Sequence, residues 1–375
     1  MDPVQMVDLK RQYLRIKDEI DAAVLGVVAS SNYIQGPEVR KFEENLTHFT
    51  GSNHVVSCAN GTDALMAALM ACGVERGDEV ITVPFTFIST VETVALLGAV
   101  PVFADVTPDT FTINPDHIES LITDKTKAIV PVHLFGQCAD MERIMAIAKK
   151  HNLKVVEDAC QALGAEYVFS DGTRRQAGTM GDVGCVSFFP TKNLGCFGDG
   201  GALMTQDDNM AEKLRLLCRH GSSKKYIHKT IGFNSRLDSV QAAVLNVKLK
   251  YLHEYISNRK SAADFYYQSL ADSTILTLPA ISPNSTHTFH QFTVKIKDGL
   301  RDDFAEYLRT NDIPSMIYYP VPAHLQPAYS YLNHSVGDFP VSEQLCNEVL
   351  SLPMHTELTI QQLQYISKTI VNHKI

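Results

Sequence analysis

The feature that most constrains this chain is its rhythm between residues 54 and 205. Short β-rich runs recur: HVVSC (54–58), EVITV (79–83), PVFADV (101–106), KAIVPVHL (127–134), LKVVED (153–158), CVSFFP (185–190) and GALMT (201–205). Helical patterns separate several of them. Residues 62–73 set Ala64, Leu65, Ala68, Leu69 and Cys72 on one stripe, with Gly73 as the stop. Further helices are expected over 89–98 and 141–151. Strands joined through helices run parallel and are covered on both faces, so the expected class is α/β with a mainly parallel sheet.

The rhythm changes after about Leu237. Residues 238–271 read as one or two long helices, 290–296 as an alternating strand and 302–311 as a helix. The stretch YYPVPAHLQP (318–327) is a proline-rich loop that no helix can cross. Helices are expected near 341–350 and 359–372. This predicts a large α/β domain over 1–250 and a smaller α+β domain over 251–375.

Charge and cysteine usage narrow the function classes. A net charge of −9 speaks against nucleic acid as a partner, which requires a basic face. No apolar run reaches the ~18 residues of a membrane span, and the charged N-terminus does not read as a signal peptide. The eight cysteines form no CxxC and mostly sit in apolar segments, as expected of reduced, cytoplasmic, buried thiols. The histidines of HTFH (287–290) and HEYIS (253–257) lack a second ligand pair, so no metal is expected and they read as structural or surface residues.

In open α/β sheets, ligands bind at the carboxyl ends of the strands. Three strand ends carry chemistry. Ala59-Asn60-Gly61-Thr62 opens a helix and reads either as an anion cradle or as an ordinary N-cap. Asp158 ends an apolar strand, where a carboxylate needs a partner such as a cationic ring nitrogen, or else caps a helix. Lys192 lies in PTKNLG (190–195), ahead of GDGG (198–201), and is either an amine nucleophile or a solvated loop lysine. Together the three match the needs of pyridoxal 5′-phosphate: a phosphate site, an acid for the pyridinium nitrogen and an amine for the aldehyde.

The chain resembles the sugar aminotransferases of the DegT/DnrJ/EryC1/StrS family, within the aspartate-aminotransferase (type I) fold. The resemblance runs nearly end to end. It rests on YIQGPEVRKFE (33–43), SCANGTDAL (57–65), GDEVITVPFTFIST (77–90), VEDACQALGA (156–165), SFFPTKNLGCFGDGGAL (187–203), GFNSRLDSVQAA (232–243), YYPVPAHLQP (318–327) and SLPMH (351–355). Within that family the wording is most similar to enzymes that aminate C3 of UDP-2-acetamido-2-deoxy-3-keto-glucuronate for O-antigen and capsule sugars.

The resemblance implies roles for the matching residues. Lys192 forms the Schiff base and shuttles the proton, and Asp158 pairs with the pyridinium nitrogen. Gln161 contacts the ring hydroxyl side, while Gly61, Thr62 and Ser187 hold the phosphate. Phe85 lies on the ring face, although spacing alone makes it a core aromatic. Asn234 reaches the phosphate in the neighbouring subunit, which makes a homodimer with shared sites the working unit; by itself it reads as a helix cap. Arg236 offers a bidentate fork to a diphosphate or a uronate carboxylate, or pairs with Asp238. Tyr318, Tyr319 and His324 line the sugar pocket, with Tyr318 standing where the uronate enzymes often carry His. The implied reaction moves an amino group from L-glutamate, released as 2-oxoglutarate, to a keto nucleotide-sugar. The alternatives are a dTDP-keto-deoxyhexose aminotransferase, a sugar lyase of the same fold (those relatives carry His at the Lys192 place) and a non-catalytic sensor.

Overall fold

The computed structural model describes residues 2–373. Three helices come first: α1 (Leu9–Arg15), α2 (Lys17–Ser30) and α3 (Pro37–Thr50). Asp8 caps α1 by accepting from Arg11 N at 2.9 Å, and Pro37 opens α3, where its missing N–H has no partner to lose. The alternating part follows as β1 (His54–Cys58), α4 (Gly61–Ala71), β2 (Glu79–Thr82), α5 (Ser89–Leu96), β3 (Val100–Phe103), α6 (Pro115–Ile118), β4 (Thr126–Ile129), α7 (Met141–His151) and β5 (Lys154–Asp158). A small hairpin, β6 (Glu166–Val168) and β7 (Arg174–Gln176), precedes β8 (Val183–Ser187), β9 (Gly201–Thr205) and α8 (Asp208–Leu217). A second hairpin, β10 (Ser222–Lys224) and β11 (Ile227–His228), leads to α9 (Ser239–Leu249) and α10 (Leu252–Ser269). The chain closes with β12 (Leu276–Thr277), β13 (Phe292–Ile296), α11 (Arg301–Thr310), α12 (Pro340–Glu348), β14 (Val349–Leu352) and α13 (Ile360–Val371).

Seven strands form the main sheet in the order β1-β9-β8-β5-β4-β2-β3. Strand β9 pairs antiparallel with β1 and β8, and the other pairings are parallel. The expected mainly parallel α/β sheet is therefore the observed one. Its core follows the two-residue period of a strand. Val55, Ile81, Ile129 and Val155 join one cluster with Phe42 of α3 and Ile144 of α7. Their neighbours Val56, Val80, Ala128 and Val156 join the other with Leu65 of α4 and Leu214 of α8.

Two boundaries differ from expectation. The strand expected over 127–134 stops at Ile129, because Pro131 cannot donate to a ladder. The backbone still runs beside β5, with Asp158 N donating to Pro131 O at 2.9 Å. The helix expected near 341–350 ends at Glu348, and Val349–Leu352 pairs with β13 in a three-stranded antiparallel sheet, β12-β13-β14. Tyr266, Phe292, Phe304 and Ile366 form the core beneath that sheet, and Val4 from the N-terminal segment packs into it.

The last two residues of β5 face opposite ways. Glu157 is fully buried and accepts from Gly178 N at 2.8 Å and from Met180 N and Gly181 N at 2.6 Å. His133 Nε2 lies 2.8 Å from the same carboxylate. Because His133 Nδ1 accepts from Ala139 N at 3.1 Å, Nε2 carries the proton. Asp158 faces the other side, into the site described next.

Candidate active site

The carboxyl ends of β1, β5 and β8 open onto one cavity of about 780 Å³, within the range of small-molecule sites. At the end of β1, Asn60 caps α4 by accepting from Asp63 N at 2.8 Å. The N–H groups of Gly61 and Thr62 have no hydrogen-bond partner among the described residues, and both residues line the cavity. A side chain at Gly61 would meet Ser187 Cβ at 2.8 Å and Cys160 Sγ at 3.1 Å, so only glycine lets the helix end sit against β8. Thr62 Oγ1 donates to Ser89 Oγ at 3.0 Å. Free N–H groups at the end of an eleven-residue helix, bordered by hydroxyls, suit a phosphate dianion.

At the end of β5, Asp158 is 7% exposed. Its Oδ2 accepts from Thr90 Oγ1 at 2.7 Å and its Oδ1 from Cys160 N at 3.2 Å. Thr86 Oγ1 lies 3.1 Å from Thr90 Oγ1, extending the chain of hydroxyls. Gln161 is held at both ends: Oε1 accepts from Phe135 N at 2.9 Å and Nε2 donates to Tyr319 Oη at 3.0 Å. Burial raises the Tyr319 pKa, so the phenol stays neutral.

Lys192 lies in the turn after β8, with its N–H donating to Phe189 O at 2.8 Å. Its amine lines the cavity, where desolvation lowers its pKa, opposed by Cys160 and Asp158. A lowered pKa enlarges the neutral fraction, the form that attacks a carbonyl. Burial keeps the Cys160 thiol protonated. These donors fit pyridoxal 5′-phosphate: N–H groups for its phosphate, a fixed carboxylate for its ring nitrogen and a desolvated amine for its aldehyde.

The sequence-predicted residues do not all meet here. Lys192, Asp158, Gln161, Gly61, Thr62, Ser187, Tyr318 and Tyr319 line the one cavity. Phe85 does not. It is fully buried, with its ring centroid 6.3 Å from Phe111 and Phe135 and 6.2 Å from Tyr319, and Phe87 lines the wall instead. His324 is also elsewhere, 2% exposed, with Nε2 3.1 Å from Glu343 Oε1 and its ring against Phe339. The chain leaves the cavity wall after Tyr319, and Ala323 N donates to Pro84 O at 2.7 Å, which holds the neighbouring His324 away from it. Asn234 and Arg236 do not line the cavity. Ser235 between them is buried and accepts from Ala59 N at 3.0 Å, which holds this segment behind the anion cradle.

The cavity also recruits residues that the sequence reading passed over. Thr86 and Ser89 line it and Thr90 bonds Asp158 beside them; the hydroxyls clustered in PFTFIST, just after β2, are their signal in the sequence. His290, expected to be structural or surface, lines the cavity, and burial beside Lys192 and Arg259 holds its pKa well below the usual imidazole value. It enters with the neutral ring.

A desolvated lysine facing a strand-end carboxylate and a helix N-terminus, on a mainly parallel sheet, defines a pyridoxal-phosphate enzyme of the type I fold class. The chain belongs to the DegT/DnrJ/EryC1/StrS aminotransferase family, whose sequence profile matches residues 14–371. It is 44% identical over 369 residues to the pleiotropic regulatory protein of Geobacillus stearothermophilus, covering 98% of this chain and 97% of that one. It is 43% identical over 369 residues to the UDP-2-acetamido-2-deoxy-3-oxo-D-glucuronate aminotransferase of Pseudomonas aeruginosa, covering 98% and 100%. The crystal structure of S. venezuelae DesV in complex with a ketimine intermediate superposes with a TM-score of 0.94 at 39% identity, covering 99% and 98%.

Proposed function

We propose that this aminotransferase moves the amino group of L-glutamate onto C3 of a UDP-2-acetamido-3-keto-hexuronate, in the cytoplasm, for O-antigen or capsule sugars. The cofactor is pyridoxal 5′-phosphate. When bound, it supplies the electron sink that withdraws charge from the substrate carbon. The observation that carries the reading is the desolvated Lys192 amine on the same wall as Asp158 and the Gly61 cradle. Lys192 Nζ takes the proton from the donor's α-carbon and returns one to the sugar carbon. Asp158, fixed by Thr90 and Cys160 N, would hold the ring nitrogen. The Gly61 and Thr62 N–H groups would bind the phosphate, and Phe87 lines the cavity beside them.

A homodimer with shared sites is part of the reading. Asn234 is exposed, and the segment before it carries Tyr226 at 83% and Ile231 at 85% exposure, apolar surface that a lone protomer leaves in water. Arg236 would then meet a charged substrate in the second copy's cavity.

A second reading, a dTDP-keto-deoxyhexose substrate, draws on the cavity's charge. Lys192 is the one lysine or arginine among the described lining residues, and Tyr318 stands on the wall, so one protomer offers no cation to hold a uronate. The test is direct. Adding L-glutamate to the holoenzyme shifts the cofactor absorbance and releases one 2-oxoglutarate per site, whereas a lyase or a sensor gives neither. Rates with the UDP-3-keto-uronate and with a dTDP-keto-deoxyhexose then choose between the sugars.

A further inference from the structure

Lys248, in the last turn of α9, is 3% exposed. Among the described residues no carboxylate pairs with it. Its Nζ donates to Gly195 O at 2.7 Å and lies 5.2 Å from the centroid of the Phe197 ring. Two turns earlier on the same helical face, Gln241 takes both backbone groups of Phe197: Oε1 accepts from its N at 2.8 Å and Nε2 donates to its O at 3.3 Å. The helix thus grips the 195–197 turn at three successive peptide groups.

That turn closes the loop that carries Lys192. Cys196 N donates to Phe188 O at 2.8 Å, shutting the loop at its base, and Lys192 N donates to Phe189 O inside it. Gly195 admits no side chain, since a Cβ there would sit 2.3 Å from Pro190 O. A loop wound this tightly moves as one piece, so what fixes Gly195 also fixes the backbone of Lys192. Burial lowers the Lys248 pKa to about 8, a mark of the desolvation this position imposes on a cation. A methionine would occupy the same space without that cost, so the amine's contribution lies in the bond it makes.

We infer that Lys248, assisted by Gln241, is a positioning residue for Lys192: it anchors the lysine loop through Gly195 O and so sets where the reacting amine stands. The inference rests on Lys192 being that amine. A misplacement of about 1 Å costs up to ~100-fold in a positioned reaction, and it acts on the chemical step rather than on binding.

The experiment compares the holoenzymes of wild type, Lys192→Ala, Lys248→Met and Gln241→Leu. We expect Lys248→Met to retain cofactor and to keep KM for glutamate and for the sugar within about twofold, while kcat falls at least about tenfold. Gln241→Leu, which leaves the buried amine in place, should show the same split with a smaller fall. An unchanged kcat in Lys248→Met, or a lowered Tm at unchanged kcat, overturns the inference. So does a loss confined to KM. If Lys248→Met does not fold, Gln241→Leu decides alone, and a wild-type kcat there is the overturning result. Turnover in Lys192→Ala would instead bring down the proposed function, whereas an inactive Lys192→Ala beside a fully active Lys248→Met removes only the positioning role.

Discussion

The hydroxyl of Thr90 donates to Asp158 Oδ2 at 2.7 Å, tying the first turn of α5 to the last residue of β5. A hydrogen bond to a charged group contributes about 1.5–3 kcal/mol. Thr90→Val keeps the shape and removes the donor, so the glutamate half-reaction should slow by about 10- to 100-fold. Thr86→Val, one hydroxyl further away, should cost clearly less. Stopped-flow absorbance of the half-reaction measures both.

Gly61→Ala tests the cradle. The new methyl would stand 2.8 Å from Ser187 Cβ and push the end of α4 off β8. The protein should still fold, since the change adds one methyl at a helix N-terminus, but its cofactor should dialyse away faster than from wild type. Cofactor content after dialysis, together with circular dichroism, separates the two effects.

The proposed sharing of sites between two subunits can be tested by mixing. Lys192→Ala and Asn234→Ala homodimers should each be inactive or nearly so. Heterodimers that pair the two place one site with both residues intact, so activity should return on subunit exchange. No return, with heterodimers demonstrated by native mass spectrometry, rejects the contribution of Asn234 across the interface.

Acid should unfold this protein through buried imidazoles. Burial lowers the pKa of His287 to about 3 and of His355 to about 4, and holds His290 well below its usual value. The unfolded chain binds protons at these sites near pH 6.5 while the folded chain does not. Stability is therefore full above about pH 6.5 and falls as pH drops from there toward 4. Each such histidine contributes a slope of about 1.4 kcal/mol per pH unit. His287→Phe, which keeps a ring to stack on Phe289, should flatten the slope; Tm against pH reads it.

What was legible in the sequence follows physical locality. Lys192, Asp158 and Gly61 each stand at the carboxyl end of a β-rich run, so a periodicity argument reaches them without tertiary information. Phe85 and Phe87 are two residues apart, and once β2 ends at Thr82 no local pattern tells which ring faces the cavity. His290 is harder still. Arg259 of α10 donates to His290 O at 3.4 Å and to Met354 O at 3.0 Å, which fixes the approach to β13. Those contacts span 31 and 95 positions in the chain, and nothing in the wording of HTFH encodes them.

Strand β5 ends in two acids whose fates diverge. Glu157 is caged by three peptide N–H groups and a histidine, which leaves its charge nothing further to give, while Asp158 alone looks into the cavity. A strand alternates sides with every residue, so inserting one residue ahead of Val156 would bring Glu157, one methylene longer, to the place of Asp158 and leave Val156 in the cage, while deleting one there would put Asp158 in the cage and Ala159 at the cavity. The two acids are chemically alike, and register alone separates scaffold from chemistry. This short stretch should therefore tolerate substitution far better than any change in its length.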